Sequence, residues 1–277
     1  MGQLSELAKM QGIERVSDEQ AATTGRLIWQ TWCSGGVLEK IPRQHRPDTI
    51  EQGYAAQHAL EAVGGEAVVG WKIAATSAAG QAHIAVPGPI AGRLFASRVH
   101  RSPATVAMGT NRMAVAEAEF AFVIGETLSP RATPYRVEEV MAAVSSVHPA
   151  IELPDSRFTD FTKVGSAQLA ADNACANEFV LGPAAPGGAW RDLDLSQHEV
   201  RLQRNGELVS SGQGRDCLGD PRVALTWLVN CPALAESGLR EGAIVTTGVC
   251  GQPTPIVNGD RIQVDFGILG EASVTLS

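Results

Sequence analysis

Three glutamates and a lysine sit where their charges need an explanation. Glu117 and Glu119 lie two apart in Ala116-Glu117-Ala118-Glu119-Phe120. Residues two apart on a strand share a face, so both carboxylates point the same way, roughly 7 Å apart along the backbone, while Phe120, Phe122 and Ile124 face a core. Side by side among apolar neighbours they repel one another and lose hydration, and they need a cation or a shared proton to stay there. A hard divalent ion with oxygen ligands, Mg²⁺ or Mn²⁺, meets that need. The plainer alternative is an edge strand showing both glutamates to water. A third carboxylate, Glu152, in the apolar run Pro149-Ala150-Ile151-Glu152-Leu153-Pro154, favours a metal centre with positions open for water and substrate. Lys72, between Trp71 and Ile73, must snorkel or pair. It is either half of a structural salt bridge or a cation at the metal site that moves protons or holds a substrate carboxylate. Beside a metal and apolar walls its pKa is expected to fall.

These residues must be positioned by the elements around them. Ser17 with Gln20 reads as a capping box opening a helix with Leu27, Ile28 and Trp32, closed by Gly35-Gly36. Thr49 with Gln52 opens a second helix with Ile50, Tyr54 and Leu60, closed by Gly64-Gly65. Val68-Val69-Gly70-Trp71-Lys72-Ile73 then reads as a buried strand. From Met113 onward strands dominate, interrupted by a helix that Thr133-Pro134 opens and whose apolar face is Val137, Val140, Met141 and Val144. Asn205-Gly206 marks a hairpin, residues 221–235 a short helix burying Ala224, Leu225 and Leu228, and three strands follow around Ile244, Ile262 and Val274. The pattern predicts an α+β chain: an N-terminal helical portion, residues 1–65, and a β-rich catalytic domain, residues 66–277.

Bulk properties exclude several classes. The 277-residue chain carries a formal charge of −8 with no basic run, which argues against nucleic acid. Five scattered cysteines without a C-x-x-C pair fit free thiols in a reducing compartment. Residues 1–15 lack the apolar run of a secretory signal, and no window reaches the ~20 apolar residues of a membrane helix. A soluble cytoplasmic protein is the expectation. The histidines show no H-E-x-x-H spacing, Gly212-Gln213-Gly214 lacks the third glycine of a dinucleotide loop, and there is no G-x-S-x-G elbow. His58 and Glu61 read as a surface pair on the second helix.

The ordered segments resemble the 2-keto-4-pentenoate hydratase and 2-oxo-3-hexenedioate decarboxylase family of the fumarylacetoacetate hydrolase superfamily, from about Ile50 to the C-terminus. The landmarks are Gly70-Trp71-Lys72-Ile73-Ala74-Ala75-Thr76-Ser77, Ala116-Glu117-Ala118-Glu119, Ile151-Glu152-Leu153-Pro154-Asp155-Ser156-Arg157, Ala171-Asp172-Asn173-Ala174, Leu218-Gly219-Asp220-Pro221 and the run from Gly242 to Gly248. The resemblance implies a mixed β-roll, Mg²⁺ or Mn²⁺, and homo-oligomers that could associate with a related pathway enzyme. It makes Glu117, Glu119 and Glu152 the metal ligands and Lys72 an active-site residue, and it places Asp172, Asn173, Thr76 and Ser77 near the substrate. Two stretches depart from the family pattern: residues 86–92 hold no carboxylate, and Cys175 stands where serine is frequent.

What the resemblance implies is a hydratase that adds water to a 2-hydroxy-2,4-dienoate, giving a 4-hydroxy-2-oxo acid in the catabolism of aromatic compounds. In that reading the cation stabilises charge on the 2-oxygen, and Lys72, with Asp172 as partner, shuttles protons. A 2-oxo-3-hexenedioate (4-oxalocrotonate) decarboxylase needs the same site. An acylpyruvate-type C–C hydrolase would use His58 and Glu61 on a lid to activate water. The alternative of another class is a non-catalytic subunit, against which the intact set of Glu117, Glu119, Glu152 and Lys72 argues.

Overall fold

The computed structural model describes residues 18–277; residues 1–15 and Ser17 of the first capping box lie outside them. The first described helix, α1 (Asp18–Ser34), buries Ala21, Thr24, Gly25, Ile28 and Thr31. It ends in a Schellman arrangement, with Gly36 N–H donating to Thr31 O and Gly35 N–H to Trp32 O at left-handed Gly35. α2 (Ile50–Gly64) has the expected reciprocal Thr49–Gln52 box and stops at left-handed Gly65. The two helices cross closely because Gly25 lacks a side chain: a Cβ there would meet Ala59 Cβ at 2.8 Å and Ala56 O at 2.9 Å.

The strands follow in chain order: β1 (Val68–Ala74), β2 (Ile90–Phe95), β3 (Val99–Arg101), β4 (Ala104–Val106), β5 (Val115–Ile124), β6 (Val144–Leu153), β7 (Glu178–Leu181), β8 (Glu199–Arg204), β9 (Glu207–Gln213), β10 (Ile244–Val249), β11 (Thr254–Pro255), β12 (Arg261–Asp265) and β13 (Glu271–Leu276). Among the described residues they form two sheets. One has the order β2-β1-β10-β5-β6-β7-β3, with β11 added alongside β5, and the other β4-β13-β12-β8-β9. Both are mixed, since β1 and β10, β3 and β7, and β4 and β13 run parallel. The helices and curled sheets make the expected α+β roll. Its core is shared: Ile28, Ile41, Tyr54 and Leu60 of the helical portion pack in one cluster with Trp71, Phe120, Phe122, Val264 and Phe266.

Several element boundaries differ from the sequence reading. The helix placed after Thr133-Pro134 is the shorter α4 (Val137–Ala142). Val144 is not on its apolar face but opens β6, opposite Ile124; β-branched residues there gain more from pairing than from extending a short helix. The helix expected over 221–235 divides into α6 (Pro221–Val229) and a 3₁₀ turn, Pro232–Leu234. Two six-residue helices, α3 (Ala78–His83) and α5 (Ser166–Ala171), were not expected. All five cysteines are free thiols.

Candidate metal centre

Strand pairing brings the carboxylates together. Glu117 on β5 lies directly opposite Glu152 on β6, and Glu119 opposite Ala150. One oxygen from each of Glu117, Glu119 and Glu152 falls within 4.8 Å of the others. Glu119 and Glu152 are fully buried and Glu117 is half-buried. The edge-strand alternative does not hold, because β5 is flanked by β10 and β6. Next to β5, β10 shifts register between Thr246 and Val249. The bulge turns Gly248 N–H onto Glu119 Oε2 at 2.9 Å, and Thr246 Oγ1 donates to the same oxygen. Gly248 has φ +98°, and a Cβ on it would meet Thr76 Oγ1 at 1.9 Å; glycine is required by both the backbone and the space.

Lys72 reaches the cluster from β1. Its Nζ lies 3.1 Å from Glu152 Oε1 and donates to Ala174 O at 3.0 Å. The salt bridge and the site residue are therefore one and the same. Burial pulls the lysine down, but Glu152, Glu117 and Glu119 together outweigh it and hold its pKa above the ordinary value. The lowered pKa expected from the sequence is for a lysine beside a bound cation, whose charge would offset these three carboxylates. Burial pushes Glu117 up to about 7, with Glu152 adding and Lys72 opposing. Burial raises Glu119 well above the carboxylate range, with Glu152 and Glu117 adding.

Neither buried oxygen of Glu152 accepts a hydrogen bond, a costly state for a carboxylate. Three convergent all-oxygen donors, with Glu152 ion-paired to Lys72 but accepting no hydrogen bond, fit a hard divalent cation, Mg²⁺ or Mn²⁺. The centre opens into a cavity of about 610 Å³ lined by Lys72, Thr76, Ser77, Glu117 and Glu119, among others. Both stretches that depart from the family pattern reach it, through Ile90 and Cys175.

Asp172 and Asn173 lie behind the cavity and do not line it. Asp172 accepts from Ser156 Oγ at 2.6 Å and from Arg157 Nε at 2.5 Å. Asn173 bridges β2, accepting from Arg93 N–H at 2.6 Å and donating to Arg93 O at 2.9 Å. Between them they hold a turn in which Asn173, Ala174 and Cys175 have φ of 55°, 50° and 60°, a costly run for residues other than glycine. The turn aims the Ala174 carbonyl at Lys72. His58 and Glu61 meet Arg93, at 3.1 Å and 3.5 Å, and neither lines the cavity. Sequence reasoning missed Thr246, Gly248 and the Ala174 carbonyl; the first two stood in a quoted landmark, where only the bulge reveals their aim.

Residues 53–277 match the fumarylacetoacetate (FAA) hydrolase C-terminal family. The chain is 35% identical over 211 residues to 2-keto-4-pentenoate hydratase 1 of Dechloromonas aromatica, 76% of this chain and 78% of that one. It is 32% identical over 261 residues to 2-keto-4-pentenoate hydratase of Paraburkholderia xenovorans, covering 92% and 94%. Among solved structures, 4-oxalocrotonate decarboxylase from Pseudomonas putida G7, complexed with magnesium and adipate, superposes with a TM-score of 0.85 at 26% identity, over 95% of this chain and all of that one. The chain belongs to the fumarylacetoacetate hydrolase C-terminal family, in the branch of the 2-keto-4-pentenoate hydratases and 4-oxalocrotonate decarboxylase.

Proposed function

We propose that this chain is a divalent-metal-dependent hydro-lyase that adds water to a 2-hydroxy-2,4-dienoate, giving a 4-hydroxy-2-oxo acid, in the catabolism of aromatic compounds. The observation that carries this is the convergence of Glu117, Glu119 and Glu152 beneath a cavity that Lys72 also lines; hydratase relatives that align over most of the chain support it. Glu117, Glu119 and Glu152 would hold Mg²⁺ or Mn²⁺. When bound, the cation supplies Lewis-acid stabilisation of negative charge at the 2-oxygen of the substrate.

The remaining roles belong to side chains. Lys72, set between Glu152 and the Ala174 carbonyl, attracts the substrate carboxylate as an ammonium and delivers a proton to the dienol carbon chain as the double bonds shift. Thr76 and Ser77, at the cavity wall, hold the polar end of the substrate. Asp172 and Asn173 serve Lys72 indirectly, by fixing the turn whose Ala174 carbonyl receives its Nζ. A cytoplasmic homo-oligomer that could associate with a related pathway enzyme completes the proposal.

The test is loss of dienol absorbance with Mg²⁺, with Mn²⁺ and with chelator. Metal-dependent hydration is expected, and Lys72→Met is expected to cut turnover far more than metal affinity. Dienol loss unaffected by chelator would overturn the reading. The second reading, decarboxylation of 2-oxo-3-hexenedioate, is favoured by the superposition on 4-oxalocrotonate decarboxylase, and CO₂ release from that diacid distinguishes it. The hydrolase reading has no His–Glu pair at the cavity among the described residues, since His58 and Glu61 are held by Arg93.

A further inference from the structure

Two buried sulfurs touch beside the end of β10. Cys217 and Cys250 lie 33 residues apart in sequence, and their Sγ atoms are 3.5 Å from one another. Both are free thiols, exposed by 0% and 2%. Their sequence neighbours hold them together. The Asp216 carboxylate accepts from Gly251 N–H at 2.9 Å and from Gln213 N–H at 2.9 Å, which ties the 3₁₀ turn Gly214–Asp216 to the residues after β10. Gly212 lets the segments close, since a Cβ on it would meet the carbonyl carbon of Cys250 at 2.6 Å. The pair is also joined to the site. Leu218 N–H donates to Thr76 O at 2.8 Å, and Cys250 N–H to Ala118 O at 2.8 Å, between Glu117 and Glu119. The Cys217 thiol donates to Gly248 O at 3.0 Å, and Gly248 N–H donates to Glu119 Oε2 at 2.9 Å. One thiol thus fixes the residue that fixes a metal-binding carboxylate.

We propose that Cys217 and Cys250 are a disulfide-forming modification site, oxidised by hydrogen peroxide, whose closure loosens Glu119 and weakens the metal centre. The effect on the centre rests on the reading above that Glu117, Glu119 and Glu152 hold a divalent cation. Peroxide reaches Cys250 between Val249 and Gly251, both of which line the cavity. The Cys250 sulfur attacks one peroxide oxygen, the O–O bond breaks, and the departing hydroxide leaves as water with the thiol proton, giving a sulfenic acid. The Cys217 sulfur then attacks the Cys250 sulfur, the S–O bond breaks, and a second water carries off the Cys217 proton. Two thiols give up two electrons in all, and one peroxide becomes two waters. Burial holds the Cys250 thiol well above its usual range, so the first step is slow beside that of an exposed thiolate. The second is fast, because the partner sulfur is already in contact. Closing the bond draws the sulfurs from 3.5 Å to about 2 Å. It also removes the hydrogen that Gly248 O accepts, and with it the hold on the Glu119 donor.

The test treats the whole chain with hydrogen peroxide in the presence of chelator and then removes both. Alkylation followed by peptide mass mapping reads the link, hydrogen exchange without metal reads the Gly248 amide, and calorimetric titration with Mg²⁺ reads the centre. The expected results are a peptide pair joining Cys217 to Cys250, loss of protection at Gly248, and Mg²⁺ affinity lower by on the order of tenfold. Dithiothreitol is expected to reverse all three. Cys217→Ser and Cys250→Ala are each expected to keep, after peroxide, the Mg²⁺ affinity they had before it. Recovery of Cys217 and Cys250 as free thiols while exposed Cys33 is oxidised overturns the proposal. So does a link that leaves Gly248 as protected as before, or that leaves unchanged the affinity of a chain that binds Mg²⁺. If the reduced chain binds no Mg²⁺ but the link forms and Gly248 loses protection, the metal reading fails and the disulfide assignment stands. The three readouts are made on the unaltered chain, so they decide the matter even where a variant fails to fold.

Discussion

Glu152 carries a buried charge whose partner is Lys72. It is buried opposite Glu117, close to Lys72 but without an accepted hydrogen bond. A cation relieves that state, so Glu152→Gln is expected to weaken Mg²⁺ binding by at least the ~10–100-fold that loss of an outer-shell partner causes. Calorimetric titration would check this. Protons and metal compete for the same oxygens. Glu117, held near 7 rather than at the ordinary 4.5, must release its proton for a cation to bind. Mg²⁺ affinity is therefore expected to rise about tenfold per pH unit per proton displaced, the Glu117 proton contributing up to about pH 7 and the raised Glu119 adding to the slope. A pH-independent affinity between pH 5 and pH 7 would count against the three-carboxylate centre. The convergence was legible in sequence because a strand's period of two and three apolar contexts both act locally. The pairing of Lys72 with Glu152 and the Ala174 carbonyl was not, because distant strands deliver those partners to one nitrogen.

At the scale of elements, long or strongly signalled pieces could be read and short ones could not. The Thr49–Gln52 box and the Asn205–Gly206 turn carry their geometry in adjacent residues, whereas α3 and α5 are six residues each, too short to show a helical period. The turn at 173–175 was also invisible. Its φ values persist through partners far away in sequence, Arg93 and Arg157, so two separate motifs, 155–157 and 171–174, turn out to be one network. Removing the carboxylate leaves Arg157 buried and unpaired. Asp172→Ala is expected to cost about 3–5 kcal/mol, read from urea unfolding, and Asp172→Asn, which keeps an acceptor for Ser156 and Arg157, less. Turnover separates positioning from proton transfer: if Asp172 only supports the turn, Asp172→Asn retains most activity once folded. A collapse of turnover in stable Asp172→Asn would instead assign it a direct part in proton transfer.

For the molecule as a whole, the centre joins β1, β5 and β6 of one sheet, so its charge state is linked to global stability. A carboxyl whose folded pKa lies above its unfolded value favours the folded state below the unfolded pKa, near 4.5, and that contribution disappears as pH rises through the folded value. Glu117, raised to about 7, therefore makes the metal-free protein less stable at pH 8 than at pH 5.5, by a few kcal/mol at most. Magnesium reverses the trend, because it binds the deprotonated folded form and stabilises it by about 2.7 kcal/mol at a hundred times its Kd. The expected result is a Tm that falls between pH 5.5 and pH 8 with chelator and rises or stays level with saturating Mg²⁺. The same experiment on Glu117→Gln isolates the group from the other titrating residues: its chelator curve should lose most of the downward slope and its Mg²⁺ increment should shrink. If Glu117→Gln and the parent chain instead show the same pH slope without metal, the repulsion among the three carboxylates is not what the fold must overcome at that site.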